Sequence, residues 1–187
     1  MKIVAIVGSP RPAGNTSYLV DQALQEAATH GCETEKIMLS QYRVNPCLGH
    51  EDCSTLSACK QKDDAPGILE KFSCADGVIL ATPVYYYNMS AQMKAFVDRH
   101  YFLYTHDIPL KAVCAGFIVI AGSDGIDQTA RALRRFLKLA SDIPDSRTLT
   151  LTGCATKPGE VRNNPALVEE ARNLGRQLAE MIISSRQ

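Results

Sequence analysis

Residues 2–17 read KIVAIVGSPRPAGNTS. The first six, Lys2–Val7, are almost wholly β-branched and apolar, as expected of a strand buried on both faces. Gly8–Asn15 is loop chemistry, rich in glycine, proline and serine. A helix is expected from about Thr16 to His30, with apolar positions at Leu19, Val20, Ala23, Leu24 and Ala27 and with Gly31 suited to its C-terminal cap. A loop that passes from a buried strand straight into a helix start aims backbone N–H groups and the helix dipole at one point, which favours an anion. Ser9, Asn15, Thr16 and Ser17 add short hydrogen-bonding side chains there, and Arg11 adds a planar cation. The set suits a phosphate monoester, and an ordinary strand-to-helix turn would use the same residues.

The same alternation continues along the chain. Further strands are expected at Glu33–Leu39, Gly77–Thr82 (closed by Pro83), Ala112–Ala121 and Thr148–Thr152. Helices are expected at Pro66–Cys74, at Ser90–Tyr101 with Ser90 as N-cap, at Gln128–Ala140 and at Pro165–Ser184. Ala112–Ala121 is the longest apolar run and is expected to be the central strand. Apolar strands alternating with helices call for a parallel sheet covered on both faces. In such sheets ligands bind beyond the carboxyl ends of the strands. The loops to inspect are therefore Gly8–Asn15, Pro83–Asn88 and Gly122–Gln128.

Composition narrows the function. The chain has 187 residues, 20 lysines plus arginines and 20 aspartates plus glutamates, and so no net charge. One domain over 1–187 is expected, with neither nucleic acid nor a membrane as partner. No apolar run approaches the roughly 20 residues of a membrane span. The start, MKIVAIVGSPR, does not read as a signal peptide, so a cytoplasmic location is expected. Seven cysteines scattered over such a chain read as thiols, metal ligands or core residues before disulfides. Cys74, Cys114 and Cys154 lie in or beside apolar segments and are expected in the core. Other phosphate-binding loops are absent: there is no G-x4-G-K-[ST], no G-x-G-x-x-G, and no cysteine followed by five residues and arginine.

The second loop reads PVYYYNMSAQMKAFVDR, residues 83–99. Tyr85, Tyr86 and Tyr87 are consecutive in a loop and cannot all be core, so some face a ligand, a partner or solvent. With GSPRPAGNT at 8–16, this segment resembles the NADPH-dependent FMN reductase family of flavodoxin-like proteins. The resemblance covers essentially the whole chain. It implies a three-layer α/β fold, a five-stranded parallel sheet in the order 2-1-3-4-5 with helices on both faces. It implies that Ser9, Arg11, Asn15, Thr16 and Ser17 hold the FMN phosphate. It also implies that Pro83, Val84, Tyr85, Tyr86, Tyr87 and Asn88 line the isoalloxazine, approached from the other side by Ser123, Asp124 and Gly125. NAD(P)H is the implied donor, a small molecule or a ferredoxin-like protein the implied acceptor, and a homodimer or homotetramer the implied assembly. Asp98 and Arg99 close the second segment as a pair expected to fix the helix or a neighbouring subunit.

One insertion, at about residues 44–66, stands apart. It carries Cys47-x2-His50-x2-Cys53-x5-Cys59 between Pro46 and Lys62-Asp63-Asp64. This resembles the cysteine motif of the iron–sulfur flavoprotein branch of the same family, with His50 standing where that motif has its second cysteine. Three readings stand: a [4Fe–4S] cluster on Cys47, His50, Cys53 and Cys59, a zinc ion on the same four, or a loop without metal whose thiols are packed or reactive. Zinc is the weakest of the three, since its ligands usually come as two pairs on separate turns. A cluster beside the flavin would suit one-electron exchange with a protein partner. Its absence would suit two-electron reduction of a quinone, a free flavin or another small acceptor. The contrasting reading is a non-enzymatic carrier or sensor that signals its redox state to a partner.

Overall fold

The computed structural model describes residues 1–186. Five strands form one parallel sheet: β1 (Lys2–Val7), β2 (Glu33–Met38), β3 (Gly77–Tyr85), β5 (Cys114–Ala121) and β6 (Thr148–Cys154). A two-residue strand, β4 (Asn88–Met89), folds back antiparallel on the end of β3. The helices are α1 (Asn15–Thr29), α2 (Ala65–Cys74), α3 (Ala91–Arg99), α4 (Tyr101–Thr105), α5 (Ile126–Ala140) and α6 (Pro165–Ser184). The sheet order is β2-β1-β3-β5-β6, which is the expected order once the short β4 is set aside. The central strand is β3 rather than the longer apolar run at 112–121, which lies one place further out as β5.

The pleat divides each strand's side chains between two cores. Ile3, Ala5, Val7, Ile79 and Ile118 pack on one face with Leu19, Val20 and Ala23 of α1 and Leu174, Leu178 and Ile182 of α6. Val4, Ile6, Val78, Leu80 and Phe117 pack on the other with Phe72 of α2, Phe96 of α3 and Leu133 of α5. Helices α1 and α6 approach so closely that a Cβ at Gly175 would stand 1.9 Å from the Ala23 carbonyl oxygen, so the small residue sets their separation. No described helix is long and apolar enough to cross a membrane.

Two expectations are corrected here. Pro83 does not end its strand: it sits opposite Ile120 at the sheet's rim, and β3 runs on to Tyr85 before turning back. Proline is tolerated there because few ladder bonds remain to be lost. Cys74 and Cys154 are exposed, whereas Cys114 is fully buried, as expected. Desolvation pushes the Cys114 thiol up to about 12, so it is a packing residue.

Candidate flavin site and the cysteine loop

A cavity of about 290 Å³ opens where β1, β3, β5 and β6 end. The loop after β1 forms its floor. Ser9 is buried and its Oγ accepts the Arg11 N–H at 3.2 Å, while the Gly14 N–H closes the turn on the Arg11 carbonyl at 3.0 Å. A Cβ at Gly14 would meet the Arg11 side chain at 3.0 Å, so the turn is tight. No side chain caps α1 and no acidic residue occupies its first turn, which leaves the helix's positive end open to an anion. Ser9, Arg11, Asn15 and Thr16 all line the cavity. Ser17 does not line it; it is buried one residue further round the helix, where Lys36 Nζ donates to its Oγ at 3.2 Å.

The strand ends are locked together beneath this floor. Ser90, the N-cap of α3 as expected, accepts the Met93 N–H at 3.2 Å and donates to the Gly8 carbonyl at 2.6 Å. A Cβ at Gly8 would stand 2.7 Å from both Met93 Cβ and Ser90 Oγ. Pro83, Val84 and Tyr85 form the second wall. Beyond them the chain turns through Tyr86 and Tyr87, both with positive φ, and pairs Asn88 back onto Tyr85. Tyr86, Tyr87 and Asn88 lie outside the cavity lining, as do Ser123, Asp124 and Gly125. The two outer loops touch each other instead: a Cβ at Gly125 would lie 2.7 Å from Tyr87 Cα.

The remaining walls are residues not named as site residues from the sequence, although Gly122 opens one of the loops singled out there. Ile120, Ala121 and Gly122 come from β5 and its exit; Ala155, Thr156 and Pro158 come from the turn after β6. That turn is held by Glu160, whose Oε2 accepts the Thr156 and Lys157 N–H groups at 2.7 and 2.8 Å. Those bonds, the Lys157 amide first, hold the Glu160 carboxyl below its usual range. Asn15 ties the turn to α1, donating to the Lys157 carbonyl at 2.9 Å and accepting the Val161 N–H at 3.4 Å. Arg162 stacks on Tyr18 with its guanidinium carbon 4.7 Å from the ring centre. The rule that directs attention to loops after strands applied to β6 as well, and would have found this turn.

The cysteine insertion is built on a buried ion pair. Arg99 donates to Asp63 Oδ2 at 2.5 Å, to the Asn45 carbonyl at 3.2 Å and to Cys59 Sγ at 3.3 Å. The Asp63 and Arg99 side chains are 0% and 2% exposed. Desolvation pushes the Asp63 carboxyl up, but the Arg99 guanidinium and the Asn45 N–H outweigh it and hold the acid below its usual range. Arg43 and Asp64 add a second clamp at the loop's base, with the Asp64 N–H on the Arg43 carbonyl at 2.9 Å and the Arg43 N–H on the Asp64 carboxylate at 2.7 Å. Helix α4 supplies the Thr105 hydroxyl, 3.8 Å from Cys53 Sγ, and His106, whose Nε2 lies 2.7 Å from the Leu56 carbonyl oxygen. Arg99 thus fixes the insertion, while Asp98 pairs with Lys94 at 2.6 Å.

Among the described residues, no three His, Cys, Asp or Glu side chains gather into a group able to hold a metal ion. Cys47, His50, Cys53 and Cys59 therefore do not fit a preformed cluster or zinc cage as they stand. Their sulfurs do receive donors, with the Gly49 N–H 3.4 Å from Cys47 Sγ in addition to the Thr105 and Arg99 contacts.

A parallel sheet in the order β2-β1-β3-β5-β6, covered by helices on both faces and with a cavity at its carboxyl edge, is the flavodoxin-like architecture. The chain belongs to the NADPH-dependent FMN reductase family, whose model matches residues 1–152. It is 36% identical over 189 residues to an iron-sulfur flavoprotein of Methanocaldococcus jannaschii, with 97% of each chain covered. It is 38% identical over 181 residues to an iron-sulfur flavoprotein of Archaeoglobus fulgidus, with 96% of this chain and 80% of the relative covered. The fold is shared with an NAD(P)H:quinone oxidoreductase from Methanothermobacter marburgensis, with a TM-score of 0.74, 15% identity and coverage of 95% and 98% of the two chains. The chain is accordingly a flavoprotein reductase that works with FMN and NAD(P)H.

Proposed function

We propose that FMN occupies the cavity above β1, β3, β5 and β6, with its phosphate at the start of α1 and its ring between Pro83–Tyr85 and the exit of β5. The observation that carries this reading is the uncapped N-terminus of α1, with Ser9, Arg11, Asn15 and Thr16 around one cavity. The donor set fits a phosphate monoester, and the apolar walls suit a flat ring. Bound there, the flavin supplies hydride acceptance and electron release in steps of one or two. The chain's own residues bind and orient it: Arg11 neutralises the phosphate, and Asn15 holds the Lys157–Val161 turn against it. Arg11→Ala with Asn15→Ala is expected to weaken FMN binding about 30-fold, from the loss of one charge-assisted and one neutral contact. Fluorescence titration measures this, and flavin retention equal to wild type after dialysis rules out the phosphate loop.

For the insertion, the names of the relatives support an iron–sulfur reading, and the ungathered side chains count against a preformed one. We read the loop as able to take a [4Fe–4S] cluster only after rearrangement, with His50 as its weak corner. On that reading His50→Cys raises iron and sulfide towards about four of each per chain after anaerobic reconstitution. No gain over wild type assigns the loop as one without a cluster. The 1–187 chain is read as one domain, located in the cytoplasm. Tyr101, Tyr104, Ile108 and Leu139, exposed on α4, the loop after it and α5, support association into a homodimer or homotetramer, which sizing chromatography checks. The acceptor is a small molecule or a ferredoxin-like protein.

A further inference from the structure

We infer that Glu160 is a positioning residue for the flavin phosphate. Through the backbone of the turn after β6 it sets the wall that closes the cavity beside the start of α1, an inference that rests on the flavin reading above. Ala155, Thr156 and Pro158 of that turn line the cavity. The turn crosses from one end of the site to the other. At the exit of β5 the Ala155 N–H donates to the Ala121 carbonyl at 2.8 Å. At the first residue of α1, Asn15 Nδ2 donates to the Lys157 carbonyl at 2.9 Å. The turn therefore meets the cavity where the phosphate is read to sit.

The turn has no backbone donor left for that phosphate. The Thr156 and Lys157 N–H groups both go to Glu160 Oε2, at 2.7 and 2.8 Å, and the Thr156 hydroxyl donates to the same oxygen at 3.3 Å. The Ala155 N–H is taken by Ala121, and Pro158 has none. What these residues contribute is a fixed surface rather than ligands. Glu160 and Asn15 are its two braces, Asn15 also accepting the Val161 N–H at 3.4 Å. Between them the chain passes through Gly159 at φ +77°, a conformation that any side chain would strain.

Charge separates the part played by Glu160 from that of a ligand. It does not line the cavity, and its side chain is on the surface. A carboxylate has the wrong sign to stand near a phosphate monoester, which carries a charge of about −2 at neutral pH. Its repulsion weakens anion binding, while its hydrogen bonds hold the wall in place. The two effects oppose each other. A variant that keeps the hydrogen bonds and drops the charge tells them apart.

The test titrates flavin-free, full-length wild type, Glu160→Ala and Glu160→Gln with FMN and with riboflavin, which lacks the phosphate. Alanine frees both amides and lets the wall shift. FMN binding is expected to weaken about tenfold and riboflavin binding less than about twofold. Glutamine keeps an oxygen for both amides and is expected to bind FMN as tightly as wild type or up to about threefold tighter. Because Asn15 braces the same turn, Glu160→Ala is expected to weaken binding by less than about threefold when added to Asn15→Ala. The Tm of flavin-free Glu160→Ala is expected within about 2 °C of wild type, since the lost bonds lie on an exposed turn. FMN affinity in the alanine variant equal to wild type or above it overturns the proposal and leaves Glu160 as a repelling charge. A loss in the glutamine variant equal to that in alanine also overturns it, because the effect then follows charge and not the turn. Equal losses for FMN and riboflavin overturn it by moving the wall away from the phosphate, and a Tm lower by more than about 5 °C does so by making the loss one of folding. Wild-type protein that binds neither flavin would instead sink the flavin reading itself.

Discussion

Replacing Arg99 with alanine is expected to cost about 3–5 kcal/mol of stability and to release the cysteine insertion from the sheet. The magnitude follows from what is left behind: a carboxylate with no exposed side-chain surface and no cation. Asp63 keeps the Asn45 N–H at 2.9 Å and the Ala65 N–H at 3.3 Å, two neutral donors that do not replace a cation and the lost water. For a chain of this size the loss corresponds to a fall in Tm of roughly 10 °C. Arg99→Lys is not expected to rescue it. One guanidinium reaches Asp63, the Asn45 carbonyl and Cys59 together, a fork that a single ammonium cannot reproduce.

Because a buried pair can be worth no more than a well-packed apolar replacement, Arg99→Met with Asp63→Leu is expected to be less damaging than either single change. Hydrogen exchange separates the local from the global effect. Amides from 45 to 63 should exchange faster in Arg99→Ala, while those of β1 and β3 keep their protection relative to global unfolding. A Tm within about 2 °C of wild type would mean that the ion pair is replaceable by water, and that the Arg43–Asp64 clamp and the His106–Leu56 contact suffice to hold the loop.

The architecture was legible because the sheet is buried on both sides. Runs such as KIVAIV and GVILAT have no polar alternative, so their strand character and parallel pairing follow from composition alone. Helix α6 was readable to the residue, since Pro165 and its Asn164 cap mark its start. That Ser9, Arg11, Asn15 and Thr16 lie together on the floor of one cavity was legible because they belong to one strand-to-helix loop. What escaped was long-range. The rule for loops after strands points to the 155–160 turn, but nothing in its residues announces how Glu160 and Asn15 hold it, because Asn15 and Lys157 are 142 residues apart and Glu160 sits among ordinary loop residues. Arg99 and Asp63 were visible as the ends of two motifs, but their pairing spans 36 residues and requires the insertion to fold back on α3. The β3–β4 hairpin was missed because its turn breaks local preference: two tyrosines stand where Asn-Gly would have signalled a hairpin.

His100, immediately after Arg99, makes the protein acid-sensitive by a separate route. The residue is 4% exposed, and its ring lies edge-on to Phe136, with centroids 5.1 Å apart, and to Phe72, 6.4 Å away. Its buried Nε2 has no hydrogen-bond partner. Burial alone pushes the imidazole down to about 4, from 6.5 in an open chain. The folded protein therefore refuses a proton that the unfolded chain accepts. Stability is fully present above pH 6.5 and drains away as pH falls from 6.5 towards 4, because across that window only the unfolded state is protonated. At 1.36 kcal/mol per unit, the loss between pH 7 and pH 4.5 is about 2.5 kcal/mol. His100→Phe keeps an aromatic ring against Phe72 and Phe136 and removes the titration. Urea midpoints measured at both pH values should show wild type losing about 2.5 kcal/mol more than the variant, since carboxylates titrating elsewhere affect both proteins alike. Equal losses would mean that the folded chain protonates His100 by opening the cleft between α4 and α5 at little cost. In that event the orphaned nitrogen is satisfied by solvent, and the acid sensitivity has to be sought in carboxylates such as Asp63, whose folded form is held ionised by Arg99.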